Sequence, residues 1–216
     1  MSHSNNRQTS LPSEETLIRC HTPLDEEKDE ALQTDALIEL FDALYSARYN
    51  TRLVRGEDEP IYLPADETTP YHRIVFAHGF FASALHEISH WCIAGPRRRL
   101  LEDFGYWYLP DGRNQNEQEA FEKAEIAPQA IELILTQACG RHFNVSVDNL
   151  SPDIEVDREA FRTRVEQKAK ERLQRGLPPR IEALRRALTA HFKEGTSHAV
   201  ACQHADEIFI RYGTPA

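Results

Sequence analysis

From Asp35 onward apolar residues recur three and four positions apart, at Leu37, Ile38, Leu40, Phe41, Leu44 and Tyr45, which puts them on one face of a helix. Folded structure is expected to start there. The preceding residues 1–33 carry Glu14, Glu15, Asp25, Glu26, Glu27, Asp29 and Glu30 with few aromatics. Such a stretch has little apolar surface to offset the entropy of ordering, so it reads as a flexible acidic extension. After a turn-rich passage through Gly56, residues 60–64 (Pro-Ile-Tyr-Leu-Pro) and 73–77 (Arg-Ile-Val-Phe-Ala) are short runs of strand propensity, two members of a small sheet. Gly79 breaks the second run. Residues 80–93 then predict a central helix, because apolar residues recur without alternation until Gly95-Pro96 stops it.

Residues 103–108 form an aromatic ribbon or loop that ends at the turn Pro110-Asp111-Gly112. Residues 118–139 give another helix, with Ala124, Ile131, Leu133, Ile134, Leu135 and Ala138 inward, Gly140 as its stop and Pro128 as its start or a kink. Residues 143–147 are expected to be a last strand. Residues 157–175 and 179–192 read as charged amphipathic helices separated by Gly176-Leu177-Pro178. The sum is a mixed α/β (α+β) protein: a compact, helix-rich single domain over 34–195 with a small sheet and a central helix, followed by a C-terminal tail, 196–216.

Composition adds few constraints to this picture. A length of 216 residues with 40% hydrophobic and 28% charged content suits one globular domain. No run approaches the ~18 apolar residues of a membrane span, and the N-terminus lacks the apolar core of a secretory signal. A cytoplasmic protein without membrane contact is expected. With 25 basic against 35 acidic residues, the net charge of −10 argues against direct nucleic-acid binding, which needs a large cationic surface. Cys20, Cys92, Cys139 and Cys202 form no CxxC pair and read as reduced, buried thiols. No GxGxxG, Walker loop or GxSxG is present, so nucleotide binding and serine hydrolysis have no sequence support.

The chemistry concentrates at His86-Glu87-Ile88-Ser89-His90, an HExxH inside the predicted central helix. Residues four apart on a helix lie one turn apart on the same face, roughly 5–6 Å between Cβ atoms, so both imidazoles can reach one metal ion. Glu87 falls on a neighbouring face. A third ligand should come from another element, and a carboxylate suits a site that must also bind water or oxygen. Candidates are Glu102, Asp103, Glu122 and Glu125. Glu125 is preferred: it opens Glu-Ile-Ala-Pro-Gln-Ala, similar to the pattern with which helical zincin-type proteins supply a third ligand. Asp103 is the runner-up. His78 at the strand end, the Tyr106-Trp107-Tyr108 cluster, Cys92 and the triplet Arg97-Arg98-Arg99 are read as structural or solvated; an active triplet would attract an acidic partner.

The residues around this motif carry a family resemblance. It runs through Asn50-Thr51-Arg52-Leu53, residues 58–66, Arg73-Ile74-Val75-Phe76-Ala77-His78-Gly79-Phe80, the string His86-Glu87-Ile88-Ser89-His90-Trp91-Cys92-Ile93-Ala94-Gly95, residues 103–108, Pro110-Asp111-Gly112-Arg113, Glu125 with Pro128-Gln129-Ala130, Phe143-Asn144-Val145-Ser146 and Asp148-Asn149-Leu150. Over about residues 35–190 the chain resembles the elongation factor P hydroxylase family. That resemblance implies a bacterial enzyme that hydroxylates the modified lysine of elongation factor P after a β-lysyl group has been attached. It also implies a compact α/β fold and a non-haem iron site of two histidines and one carboxylate. His86 and His90 occupy the HExxH positions, and the carboxylate at Glu125 is inferred from spacing. The cofactor expected is Fe(II), with dioxygen as cosubstrate; zinc could occupy the same ligands during expression.

Three readings follow. In an iron-dependent hydroxylase Glu87 orients a ligand or relays a proton. In a zinc metallopeptidase it is the general base. In a binding module a fourth ligand such as Asp103 would close a structural metal site. The reductant, the hydroxylated carbon and the substrate-binding residues are left unassigned.

Overall fold

A computed structural model describes residues 23–105, 114–147 and 157–213. Helix α1, Pro23–Tyr49, leads to strands β1, Thr51–Arg55, β2, Ile61–Leu63, and β3, His72–Phe76. A 3₁₀ turn, Ala77–Gly79, connects to α2, Phe81–Ile93. Helices α3, Gln115–Ala138, α4, Arg158–Arg175, α5, Pro179–Leu188, and α6, His198–Tyr212, complete the chain. The sheet order is β1-β3-β2, with β1 parallel and β2 antiparallel to β3. This is the helix-rich mixed α/β architecture with a small sheet and a central HExxH helix that the sequence predicted.

Helix α2 is central because its apolar face is continuous: Phe81, Ala84, Leu85, Ile88, Trp91 and Cys92 are buried at the three-and-four spacing of one helical side. Trp91 closes a cluster with Phe41, Tyr45 and Tyr49 of α1, the ring centroids 5.0–5.4 Å apart from it. Edge-on aromatic packing of this kind fixes both rings and helices. Helix α3 opens with a full capping box between Asn114 and Glu117, which satisfies two otherwise unpaired N–H groups. Pro128 lies inside α3, where it lacks the N–H that would bond the carbonyl of Ala124.

Four expectations need correction. Ordered helix begins at Pro23, not Asp35: Glu30 accepts from the Phe81 N–H at 3.0 Å and from Arg141 at 2.7 Å, so acidic side chains find partners in the fold. The expected boundary at residue 33 therefore falls inside α1. Residues 143–147 are not a strand; among the described residues no strand pairs with them, and the Gln129 side chain bonds both the N–H and the carbonyl of Ser146. The expected tail from residue 196 contains α6, whose Ala201, Ala205, Ile208 and Phe209 are buried. Strand β1 was not expected, and its position beside β3 completes the sheet. Cys92 and Cys139 are buried free thiols, and Cys202 is a half-buried one. Cys20, residues 106–113 with the aromatic triplet Tyr106-Trp107-Tyr108, and residues 148–150 lie outside the described residues.

Candidate metal centre

The chain reverses from β3 into α2 through His78 and Gly79, both with positive φ. Ser83 Oγ accepts from Ala77 N, and Glu30 accepts from Phe81 N. One and two turns further on, His86 and His90 project from the same side.

Their Nε2 atoms lie 3.1 Å apart. Glu125, from α3, meets both: Oε2 is 3.7 Å from His86 Nε2 and Oε1 is 3.4 Å from His90 Nε2. These three are the one group of at least three His, Cys, Asp or Glu among the described residues whose ligand atoms all lie within 4.8 Å of one another. The side chains of Glu125, His90 and His86 are 3%, 12% and 22% exposed, so the cluster is largely buried and reaches solvent mainly at His86. Two imidazole nitrogens and a carboxylate suit a divalent first-row metal and leave coordination positions free.

The support for this trio is equally specific. His86 Nδ1 lies 2.8 Å from Glu132 Oε2, a carboxylate seven residues beyond Glu125 on the same helix. An Nδ1–H donated to Glu132 fixes the ring with Nε2 turned toward the cluster. Gln129, one turn from Glu125, donates to Glu125 Oε2 at 3.3 Å and to the Ser146 carbonyl at 2.7 Å. The glutamine is itself held by the Ser146 N–H at 3.1 Å, so Glu125 is oriented through a locked amide. Glu132 was not singled out in the sequence, and Gln129 entered only within the string that carries the resemblance, with no role assigned. A glutamate inside the apolar run Ile131-Glu132-Leu133-Ile134 was the available signal.

Electrostatics reflect the density of carboxylates. Burial opposes a charge on His86, but Glu132, through its hydrogen bond and its charge, with Glu87 and Glu125 pushes the imidazolium up to about 10. A positive charge is thus stabilised at the centre, the property a cation site requires. Burial likewise works against charge on Glu125, but the histidines and Gln129 hold its carboxyl below the usual range. Glu87 goes the other way: burial raises it, the two histidines lower it, and Glu125 and Asp103 raise it further.

The other candidates are occupied elsewhere. Asp103 sits in a left-handed conformation, φ 45°, and accepts from the Tyr62 N–H of β2 at 2.8 Å. It caps a strand and does not join the cluster. Glu122 is paired with Arg164 of α4, and Glu102 is exposed. His78 is exposed and packs against Phe80. Cys92 packs beneath α2, where burial pushes its thiol up to about 11, out of the reactive range. Within the basic triplet, Arg98 donates to the Phe104 carbonyl and Arg99 to that of Ala94, so two of the three cations serve the fold.

Fold and centre together define an α/β protein with a two-histidine, one-carboxylate constellation carried by a pair of packed helices. Comparison with known sequences narrows this further. The family profile described as elongation factor P hydroxylase matches residues 40–202, a span that contains the whole cluster and its supports. The chain is also 51% identical over 156 residues to the elongation factor P lysine hydroxylase of Haemophilus influenzae, covering 72% of this chain and 87% of that protein. The chain belongs to the elongation factor P hydroxylase family.

Proposed function

We propose that this chain is an iron-dependent protein hydroxylase acting on the β-lysylated lysine of elongation factor P in the cytoplasm. The observation that carries the reading is the His86–His90–Glu125 cluster, positioned within the span that matches the family profile. Among the described residues no helix is long and apolar enough to cross a membrane.

His86 Nε2, His90 Nε2 and Glu125 would hold the metal. Bound there, Fe(II) supplies the activation of dioxygen that insertion into an unactivated C–H bond demands. One oxygen atom enters the C–H bond; the other leaves as water, with two electrons and two protons from an external two-electron donor. The protein's own work is orientation and proton control. Glu132 keeps His86 in the tautomer whose Nε2 faces inward. Gln129 limits rotation of Glu125, so its oxygens stay aimed at the two histidines. Glu87, whose burial favours the protonated form, is assigned the delivery of a proton or the orientation of a ligand beside the cluster.

The reading is tested by intact-mass spectrometry of β-lysylated elongation factor P incubated aerobically with the Fe(II)-loaded protein. A gain of about 16 mass units, absent with His86→Ala and absent without oxygen, is the expected result. An unchanged target with confirmed metal loading would overturn it. Glu87→Gln then separates this chemistry from zinc peptidase action: a peptidase loses essentially all turnover while keeping its metal, whereas the hydroxylase retains part of its activity.

A further inference from the structure

Behind His86, on the side away from the cluster, lies a cavity of about 310 Å³ lined by residues of α2, α3 and the segment after α3. That volume is at the lower end of the ~300–1,000 Å³ range of small-ligand sites. Phe81, Leu85 and Phe143 give it apolar wall, Thr136 and Asn144 neutral polar wall, and Glu132 contributes a carboxylate. Glu132 uses Oε2 for His86; among the described residues no partner engages Oε1, and the side chain is 11% exposed. A pocket with an apolar side and one available carboxylate oxygen is complementary to a methylene chain ending in an ammonium group.

Arg141 and His142 also line the cavity, and a guanidinium facing it freely would favour an anion. Arg141 does not face it freely. Its guanidinium is paired with Glu30 at 2.7 Å, bonded to Gln33 at 2.6 and 3.2 Å, and stacked 4.0 Å from the Phe81 ring centre. His142 is exposed at the rim.

We infer that this cavity is the recognition site for an aliphatic ammonium chain, the side-chain chemistry of lysine, with Glu132 as the ammonium acceptor and Phe81, Leu85 and Phe143 as its apolar walls. The inference rests on the lysine hydroxylase reading for its biological ligand but not for its chemistry. Glu132 would then couple two tasks, holding His86 through one oxygen and the substrate cation through the other.

The test uses hexylamine, hexanol and hexanoate as probes, titrated by calorimetry into the iron-loaded protein kept free of oxygen. Hexylamine should bind at least tenfold tighter than either of the other two. Ala82→Trp places bulk from an exposed position at the cavity wall and should weaken hexylamine at least tenfold. Phe143→Ala removes a wall and should weaken it severalfold, and Glu132→Gln should erase the preference for the amine over the alcohol. Equal or tighter binding of hexanol or hexanoate, or hexylamine binding untouched by both Ala82→Trp and Phe143→Ala, would overturn the proposal. With elongation factor P as substrate, Ala82→Trp should raise KM at least tenfold at near-normal kcat. Hydroxylation by this variant with wild-type KM overturns the cavity assignment and leaves the hydroxylase reading standing. Amine binding with the expected preferences, but no oxygen gained by elongation factor P, does the reverse.

Discussion

The two ends of α2 are anchored by opposite charges in different surroundings. At the N-terminal end, Glu30 of α1 accepts from Phe81 N and is backed by Arg141; this assembly is half-exposed, and Glu30 lies outside the 40–202 span of the family match. At the C-terminal end, Arg180 of α5 is 8% exposed and donates to the carbonyls of Trp91, Cys92 and Ala94 at 3.1, 2.7 and 3.0 Å. Its guanidinium also lies 4.4 Å from the Trp91 ring centre, and its own carbonyl accepts from Tyr45. Both side chains have the sign that complements the helix dipole. They differ in what their removal leaves behind: water can replace Glu30, whereas nothing can replace Arg180. The anchor nearer to His90 is thus the one that tolerates least.

The largest effect is therefore expected from Arg180→Met. The Trp91 and Cys92 carbonyls would be left buried without this donor, at ~1–3 kcal/mol for each unsatisfied group. The fold should lose about 2–5 kcal/mol in urea unfolding. A loss no larger than that of Glu30→Ala, ~1 kcal/mol for a removed N-terminal cap, would erase the contrast between the ends.

Midway along the helix the same logic applies to a ring instead of a terminus. Glu132→Ala frees His86 to rotate and change tautomer, and should weaken metal affinity about 10–100-fold with little change in global stability. Equilibrium dialysis against a metal buffer reads the first quantity and urea unfolding the second. Affinity unchanged in Glu132→Ala would mean that α2 alone, through its two ends, sets the histidine geometry.

How much of this was legible in the sequence follows from where each interaction lies. The HExxH pair is local, set by one helical turn, and Glu125 could be selected because the short string it opens, within a predicted helix, resembles a known third-ligand pattern. The supports were not local in the same sense. Arg180 is 89 residues from Trp91, and an arginine between Pro179 and Ile181 carries no mark that it is buried. The alternation in Thr51-Arg52-Leu53, buried, exposed, buried, was a readable strand signal partly masked by two arginines. The false strand at residues 143–147 shows the opposite error: β-propensity in Val145 and Val147 has meaning only with a partner edge, and here the backbone is bonded by side chains instead, Gln129 at Ser146, Gln118 at the Val147 carbonyl and Arg158 at the Val145 carbonyl. In α6 the buried face is half alanine, Ala201 and Ala205, and gives too faint an apolar stripe to separate from a tail. The acidic stretch was misread because its charge was weighed by composition, while Glu30 was already committed to Arg141 and Phe81.

The smallest effect, and the one that sharpens the contrast most cleanly, is the pH dependence of the Glu30 anchor. Burial raises its pKa, but the hydrogen bonds from Arg141 and the Phe81 N–H, with the charge of Arg141, outweigh that and hold it below its ordinary 4.5. A carboxylate with a depressed folded-state pKa binds its proton more readily in the unfolded chain. Its contribution is therefore fully present above about pH 4.5 and is lost as the pH falls through the lower folded value. Glu30→Gln keeps an acceptor for Phe81 N but removes the charge. The stability difference between wild type and Glu30→Gln should be below about 1 kcal/mol at neutral pH, as befits a partly exposed pair, and should shrink toward zero on acidification below pH ~4.5. Among the described residues Arg180 has no carboxylate partner, so the cost of Arg180→Met should persist over the same acid range wherever the fold survives. A Glu30→Gln difference that grows on acidification would place the working charge of this anchor on a group other than Glu30.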